Sequence, residues 1–277
     1  MTILITGATG HLGHLIVEAL LRDGTPASEL VAAGRKVERL ADLEAQGVRV
    51  AAIDYNDAAS LDAAFAGVDT LMLVSSSDPG HRLAQHHAAI DAAVRAGVKR
   101  IVYTSAANAL ESSLVLAPDH KATEEYLAAA GIPTTVLRNN WYHENYAGTV
   151  AQARETGTVA TSTGEGRVAS ASRADYADAA AAVLVSDGHE GKAYELSGDS
   201  AWSFAEFAAA LGATFTNLTP EEHTRTLLDA GLDAGTAGFV VALDGNIRDG
   251  ALATATPDLR TLIGRPTTPL QEWIARS

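Results

Sequence analysis

The sequence predicts an α/β fold, a doubly wound parallel sheet followed by a smaller C-terminal lobe. Three observations lead there. Short β-branched runs alternate with longer helical patterns from the first residue, helical patterns stop at glycines, and the alternation weakens after about residue 139. The predicted strands are 2–6, 29–33, 48–53, 69–75, 99–104 and 133–138. Between the first two, Leu12, Leu15, Ile16, Ala19 and Leu20 fall at i, i+3, i+4, i+7 and i+8, the apolar stripe of a helix, so the opening is a βαβ unit. The segments 36–46, 57–66, 80–96 and 119–130 read as further crossover helices, with Gly47, Gly67, Gly97 and Gly131 placed where helices terminate.

Beyond residue 139, the polar stretch from Glu155 to Arg173 reads as loop or short strands. A helix at 174–185, strands at 192–196 and 213–217, a helix at 203–211, further helical segments and a final helix at 268–275 follow. The expected division is a nucleotide-binding domain over 1–138 and a substrate-binding lobe over 139–277, partly interleaved with it. No internal repeat, low-complexity tract or long linker is present in the 277 residues.

With 47% apolar and 19% charged residues the composition is that of a globular chain, and aromatics at 5% make the core aliphatic. The net charge is −14, and the 20 basic residues form no run, so nucleic acid and anionic membranes are poor partners. The absence of cysteine removes disulfides, thiolate nucleophiles and cysteine-bound zinc. The N-terminal residues show neither a basic leader nor a long apolar run, so a cytoplasmic protein is expected.

Gly7-Ala8-Thr9-Gly10-His11-Leu12-Gly13 follows a predicted strand and opens a predicted helix, the context that makes a glycine fingerprint informative. Gly7 permits a tight turn, Gly10 lets a pyrophosphate approach the backbone, and Gly13 lets the helix pack close to the sheet. Free N–H groups at the helix start then face the phosphates. A Rossmann-type sheet selecting NAD would carry Asp or Glu at the end of the second strand; here Gly34-Arg35-Lys36 stands instead. A guanidinium suits a 2′-phosphate, and Lys36 adds positive charge, so the expected cofactor is NADP(H). The alternative, a solvated Arg35 at a helix start, is disfavoured by the helix dipole.

These residues, with others farther along, resemble the NmrA-like branch of the atypical short-chain dehydrogenase/reductases, most closely the bacterial NAD(P)H:quinone oxidoreductases of the type 2 class and then the triphenylmethane dye reductases. The resemblance covers nearly the whole chain. It rests on the Ile5 to Gly13 opening, Asp54-Tyr55, Ser75-Ser76-Ser77, Tyr103-Thr104-Ser105, the block from Leu137 to Tyr142, Glu144-Asn145-Tyr146, Ser170 to Tyr176, and Leu262-Ile263-Gly264 with Pro266-Thr267-Thr268. It implies NADPH-dependent two-electron reduction of quinones, with Asp54 and Tyr55 beside the adenine and Ser75, Ser76 and Ser77 near a cofactor ribose. It further implies that Thr104, Ser105 and the loop from Asn139, including Asn140, lie near the nicotinamide. Each has a plainer alternative, since Asp54 could cap the next helix and the serines could be turn formers.

Ketone-reducing short-chain dehydrogenases use a Tyr with a Lys four residues later, and none of the seven tyrosines here has that partner. Where the pair would be expected stand His120 and Glu124, on one helical face. A quinone lessens the need for a strong acid, because its reduced anion has a conjugate acid with a pKa of about 10. His120 is therefore a candidate proton or hydrogen-bond donor, with Glu124 orienting it or raising its pKa, against the alternative of a solvated surface pair. No carboxylate at ligand spacing is expected beside His11 and His14 or His86 and His87, which read as solvated or helix-packing residues with no metal. Trp141, Tyr142 and Tyr146 read either as a flat aromatic-substrate pocket, with Tyr142 in the catalytic set, or as aromatic core. The expected function is hydride transfer from NADPH to a quinone or similar planar acceptor, with a non-catalytic NADP(H)-sensing regulator as the alternative. The expected partners are that small molecule and a second copy of the chain in a homodimer.

Overall fold

In the computed structural model, which describes residues 1–78 and 80–277, β1 (Ile3–Ile5), α1 (His11–Arg22), β2 (Leu30–Gly34), α2 (Ala41–Ala45), β3 (Arg49–Ala52) and α3 (Ala58–Phe65) alternate as the periodicity predicts. The pattern continues through β4 (Thr70–Leu73), α4 (Arg82–Ala96), β5 (Arg100–Ala106), α5 (Ala117–Ala129) and β6 (Thr134–Asn139). The helix expected over 36–46 is split into a 3-10 turn, Val37–Leu40, and the short α2. Gly47, Gly67, Gly97 and Gly131 all have positive φ, the left-handed conformation that ends a helix without a Cβ penalty.

After β6 come α6 (Ala147–Thr156), β7 (Thr158–Thr161), β8 (Arg167–Val168), α7 (Arg173–Val185) and β9 (Ala193–Leu196). Then follow β10 (Trp202–Ser203), α8 (Phe204–Ala210), β11 (Thr214–Asn217), α9 (Pro220–Asp229), α10 (Ala234–Arg248), α11 (Asp258–Ile263) and α12 (Leu270–Arg276). The reading of the sequence had no helix at α6, which presents only Val150 and Ala153 as buried residues and so carries little periodic signal.

Seven strands form one sheet in the order β3-β2-β1-β4-β5-β6-β9. The register is parallel from β3 to β6, with Ile3 opposite both Leu30 and Thr70. At the far edge Val136 N–H donates to Lys192 C=O (2.9 Å) and Asn140 N–H to Leu196 C=O (2.8 Å), so β9 also runs parallel to β6. On one face Leu4, Val31, Leu71, Ile101 and Tyr103 bury against Leu61 and Phe65 of α3, Ala89, Ile90 and Ala93 of α4, and Leu127 of α5. Alternate residues point the other way, and there α1 packs against α7, with Arg22 bonded to Asp178 at 2.8 Å.

The chain divides into two units. The first comprises residues 1–110, 118–139 and 173–195, and so takes in α7 and most of β9 from beyond the expected boundary at 138. The second comprises 111–117, 140–172 and 196–277. It holds the parallel pair β7–β11, the antiparallel pair β8–β10, and an aromatic core in which Tyr146 meets Trp202 and Phe204 edge-on at 5.1 and 5.5 Å. Among the described residues, no helix is long and apolar enough to cross a membrane.

Two glycine-to-alanine changes test the packing in opposite directions. A Cβ at Gly13 would strike the carbonyl oxygen of Gly7 and lie 2.6 Å from its carbonyl carbon, whereas nothing lies within 4 Å of a Cβ at Gly238 in the middle of α10. Gly13→Ala should destabilise by about 1–3 kcal/mol, as overpacking does, and Gly238→Ala should stabilise by about 0.5–1 kcal/mol. Thermal melts in one buffer check both signs; a neutral Gly13→Ala would remove the close approach.

Candidate functional site

The strand order reverses between β1 and β4, and the turn after β1 opens at that reversal, where ligands of doubly wound sheets sit. Gly7 turns with φ +63°. Gly10 is the extended N-cap residue of α1, and its N–H donates to Gly7 C=O at 2.9 Å. No side chain caps α1 and no acidic residue occupies its first turn. The first N–H groups of the helix, from His11, Leu12 and Gly13, therefore have no intrahelical acceptor and meet an uncompensated positive dipole end. That is a cradle for an anion.

Ala8 N–H donates to Ala33 C=O at 3.0 Å, fastening the turn to β2. At the end of β2, a Cβ on Gly34 would lie 2.6 Å from Thr9 Cγ2. Thr9 thus packs on a bare backbone, a role for Gly34 that the sequence reading passed over. Arg35 and Lys36 come next, both exposed, and Arg35 has no hydrogen bond or ion pair among the described residues. An open helix N-terminus on β1 and an unpaired guanidinium after β2 fit a dinucleotide bearing a 2′-phosphate. Asp54 is exposed and accepts from Asn56 N–H (2.9 Å), forming the turn before α3, whose cap is Asp57. The hydroxyl of Tyr55 is buried, and burial pushes its pKa up.

Beyond β4, Ser75 N–H donates to Thr104 Oγ1 at 2.8 Å. Ser76 is gripped through its N–H by His86 Nε2 (3.0 Å), through its C=O by Arg82 Nε (2.7 Å) and through its hydroxyl by Gln85 Oε1. Ser77 is exposed. On the neighbouring strand Ser105 Oγ donates to Glu124 Oε1 at 2.6 Å.

His120 and Glu124 lie on α5 in this same unit, and both are buried. Glu124 does not orient His120, as expected from sequence; Arg138 on β6 claims it, with Nε to Oε1 at 3.0 Å and Nη2 to Oε2 at 2.7 Å. The two carboxylates of Glu124 and Glu195 hold the guanidinium pKa above its ordinary value against the opposing effect of burial. Nor is the imidazole pKa raised. Burial, with Arg82 adding repulsion, lowers His120 from 6.5 to about 3. Its Nδ1 lies 2.8 Å from the Tyr103 hydroxyl. Burial also pushes the Tyr103 phenol up, so the hydrogen is assigned to the phenol, which donates to Nδ1 and leaves Nε2–H on the imidazole. His120 and Tyr103 are thus neutral at physiological pH, and His120 and Glu124 are buried, not the solvated surface pair of the alternative.

In the second unit, Asn140 is buried; its Nδ2 donates to Leu252 C=O (3.3 Å) and its Oδ1 accepts from Trp141 N–H (2.7 Å). Its amide is thus engaged by backbone. Trp141 and Tyr142 are half-buried, while Tyr146 belongs to the aromatic core. The aromatic reading therefore splits: only the first two keep accessible surface for a planar molecule.

One expectation about histidine needs correction. Carboxylates do accompany His14, because Glu18 lies one helical turn away (3.7 Å) and the fold brings Asp42 of α2 to 3.0 Å. These three are the one group with ligand spacing found among the described residues, and both carboxylates are exposed. His86 is fully buried and hydrogen-bonded, and His87 stacks on Tyr126 with centroids 3.7 Å apart, so helix packing describes both. A buried Ser162–His223–Asp244 cluster has no catalytic-triad geometry, because serine and aspartate both approach the same imidazole nitrogen, Nδ1, at 3.2 and 3.0 Å. A cavity of about 650 Å³ in the first unit is walled by Leu127, Ile132, Pro133 and Val136, with Glu124 also in its lining.

Comparison with known proteins agrees with this geometry. The model of the NmrA-like family matches residues 1–194. Quinone oxidoreductase 2 of Escherichia coli (strain K12) is 45% identical over 279 residues, which cover 99% of this chain and 97% of that protein. The crystal structure of the NADPH-dependent quinone oxidoreductase QOR2 from E. coli, complexed with NADPH, superimposes with a TM-score of 0.96 at 45% identity, covering 99% of both chains. Citrobacter sp. triphenylmethane reductase complexed with NADP(H) gives 0.94 at 38% identity, again over 99% of both.

The neutral histidines predict an acid-sensitive fold. His86 and His120 have folded pKa values of about 3 against an ordinary 6.5, so the unfolded chain binds more protons between those values. Their contribution to stability is complete above pH 6.5 and is lost as pH falls towards 3, with a slope of up to about 1.4 kcal/mol per pH unit for each. Urea titrations between pH 7.5 and 4.5 should show His120→Gln flattening this slope by about one histidine's share; an unchanged slope would show that His120 titrates normally in the folded protein.

Proposed function

The chain belongs to the NmrA-like family, and we propose that it is an NADPH-dependent oxidoreductase that transfers a hydride to a quinone or a similar planar electrophile. The observation that carries the reading is the pairing of the uncapped N-terminus of α1 with Arg35 after β2, which has no hydrogen bond or ion pair among the described residues. That pair has the charge and the open backbone for a pyrophosphate and a 2′-phosphate. Relatives named as a quinone oxidoreductase and as an NADPH-dependent quinone oxidoreductase support the acceptor class.

Gly7, Thr9, Gly10, His11, Leu12 and Gly13 hold the pyrophosphate, Arg35 and Lys36 the 2′-phosphate, and Asp54 and Tyr55 the adenine end. Ser75, Ser77, Thr104 and Ser105 belong to the nicotinamide end. When bound, NADPH would supply the hydride, and the reduced quinone anion then takes its one proton from solvent water. His120 and Glu124 do not supply that proton as an imidazolium or a carboxylic acid, since one is neutral and the other is locked to Arg138. The His120 Nε2–H is instead a neutral hydrogen-bond donor, adequate for an acceptor whose reduced anion is a weak base with a conjugate-acid pKa of about 10. Unactivated ketones give far more basic alkoxides and are not substrates. Tyr142 is assigned to contact with the planar acceptor. Action in the cytoplasm and assembly as a homodimer complete the reading, the latter open to sedimentation.

Steady-state NADPH oxidation with quinones, dyes and ketones tests it. Turnover is expected with quinones and absent with unactivated ketones, and His120→Ala should lower it only modestly, within or below the 10²- to 10⁴-fold typical of a positioned acid. NADPH binding without any turnover would make the protein a sensor. Arg35→Glu should weaken NADPH roughly tenfold to more than a hundredfold while NADH is much less affected; equal losses would sink the 2′-phosphate assignment.

A further inference from the structure

Three side chains from one face of the first turns of α4 converge on one residue of the loop after β4, and each takes a different polar atom. Arg82 donates to the C=O of Ser76, Gln85 accepts from its hydroxyl and His86 accepts from its N–H. All three are more than nine-tenths buried, at 6, 7 and 0% exposure. Burying a guanidinium, an amide and an imidazole together is costly unless each polar atom finds a partner, and a loop that merely joined β4 to α4 would leave its backbone to water. The grip is braced from α5, where Asp119 holds Arg82 at 3.2 Å and Thr123 holds His86 Nδ1 at 2.9 Å.

We propose that Arg82, Gln85 and His86 are positioning residues for the cofactor, fixing Ser76 so that Ser75 and Ser77 on either side meet the ribose of NADPH. The proposal rests on the dinucleotide reading of the glycine cradle. Ser76 is the held residue and not a contacting one, because its hydroxyl donates to Gln85 and also accepts from Asp78 N–H at 3.3 Å. The direction of every bond in the brace is fixed. A backbone N–H can only donate, so His86 Nε2 is bare and Nδ1–H points to Thr123, whose hydroxyl donates onward to Asp119 C=O at 2.8 Å. A doubly protonated ring would set one N–H against another; burial, reinforced by His120 and Arg82, keeps the His86 pKa at about 3 and the grip intact through the neutral range.

The test is direct titration of NADPH by its nicotinamide fluorescence with no acceptor present, beside steady-state kinetics and thermal melts of the same proteins. His86→Leu should raise the Kd for NADPH on the order of tenfold, one hydrogen bond's worth, while kcat at saturating NADPH changes little. His86→Gln, whose Oε1 reaches the Nε2 position, should restore most of the affinity. Ser76→Ala and Gln85→Leu should each weaken NADPH, and the double variant should be no weaker than the worse single one, since both remove the same bond. Unchanged Kd in a folded His86→Leu, or additive losses in the Ser76–Gln85 pair, would overturn the proposal; the pair decides alone if His86→Leu does not fold. A wild-type protein that fails to bind NADPH would remove the cofactor reading and this proposal with it.

Discussion

The first turn of α1 lies so close to the turn leaving β1 that no side chain fits between them at Gly13, and the geometry of the cofactor end follows from that one approach. It seats the uncapped helix N-terminus at the carboxyl edge of the sheet, where the strand order reverses. The same turn is fastened to β2 through Ala8 and Ala33, and Thr9 rests on the bare backbone of Gly34. Arg35 is therefore placed by backbone contacts, its side chain having no hydrogen-bond or ion-pair partner among the described residues. A change that lifted α1 from the sheet would displace both proposed anion-binding features together, because they share one strand-to-strand connection.

The other end of the first unit is organised by removal of charge. Arg138 takes up both Glu124 and Glu195, with Glu124 nearly inaccessible. Breaking such a buried pair by deleting one partner typically costs about 3–5 kcal/mol, since a bare charge is left behind. Beside it the two buried imidazoles are neutral and the Tyr103 phenol is protonated. Among the described residues, neither His120 nor Tyr103 here is an accessible acid near pH 7. The missing Tyr/Lys pair is consistent with this, and both point to acceptors that take a hydride without strong acid help.

The strands and crossover helices were legible because their signals are local: apolar period, terminating glycines, and a glycine fingerprint that only a strand-to-helix turn can use. What escaped was set by partners distant in sequence. The i, i+4 spacing of His120 and Glu124 correctly put them on one helix, yet Arg138, fourteen residues past Glu124, decides what the carboxylate does. Asp42 reaches His14 only because α2 folds back beside α1. Tyr146 and Tyr142 look alike in the chain, and only the packing of Trp202, Phe204 and Phe207 around the former separates core from surface. Helix α6 was missed for the opposite reason, since a helix burying so few residues leaves almost no period to read.

One feature of α4 was nonetheless readable and was passed over. Arg82, Gln85 and His86 fall at i, i+3 and i+4 and continue without a break into Ala89, Ile90 and Ala93, so a single stripe is polar for its first turns and apolar thereafter. A helix laid along a parallel sheet presents that stripe to strands for most of its length, and its N-terminal turns run past their carboxyl ends. Hydrocarbon partners stop there and loop backbone begins, with N–H and C=O groups that must be satisfied once buried. Polar residues on the core stripe at that end thus have a task that solvated ones do not, and in this chain the backbone they satisfy is the loop beside the glycine cradle.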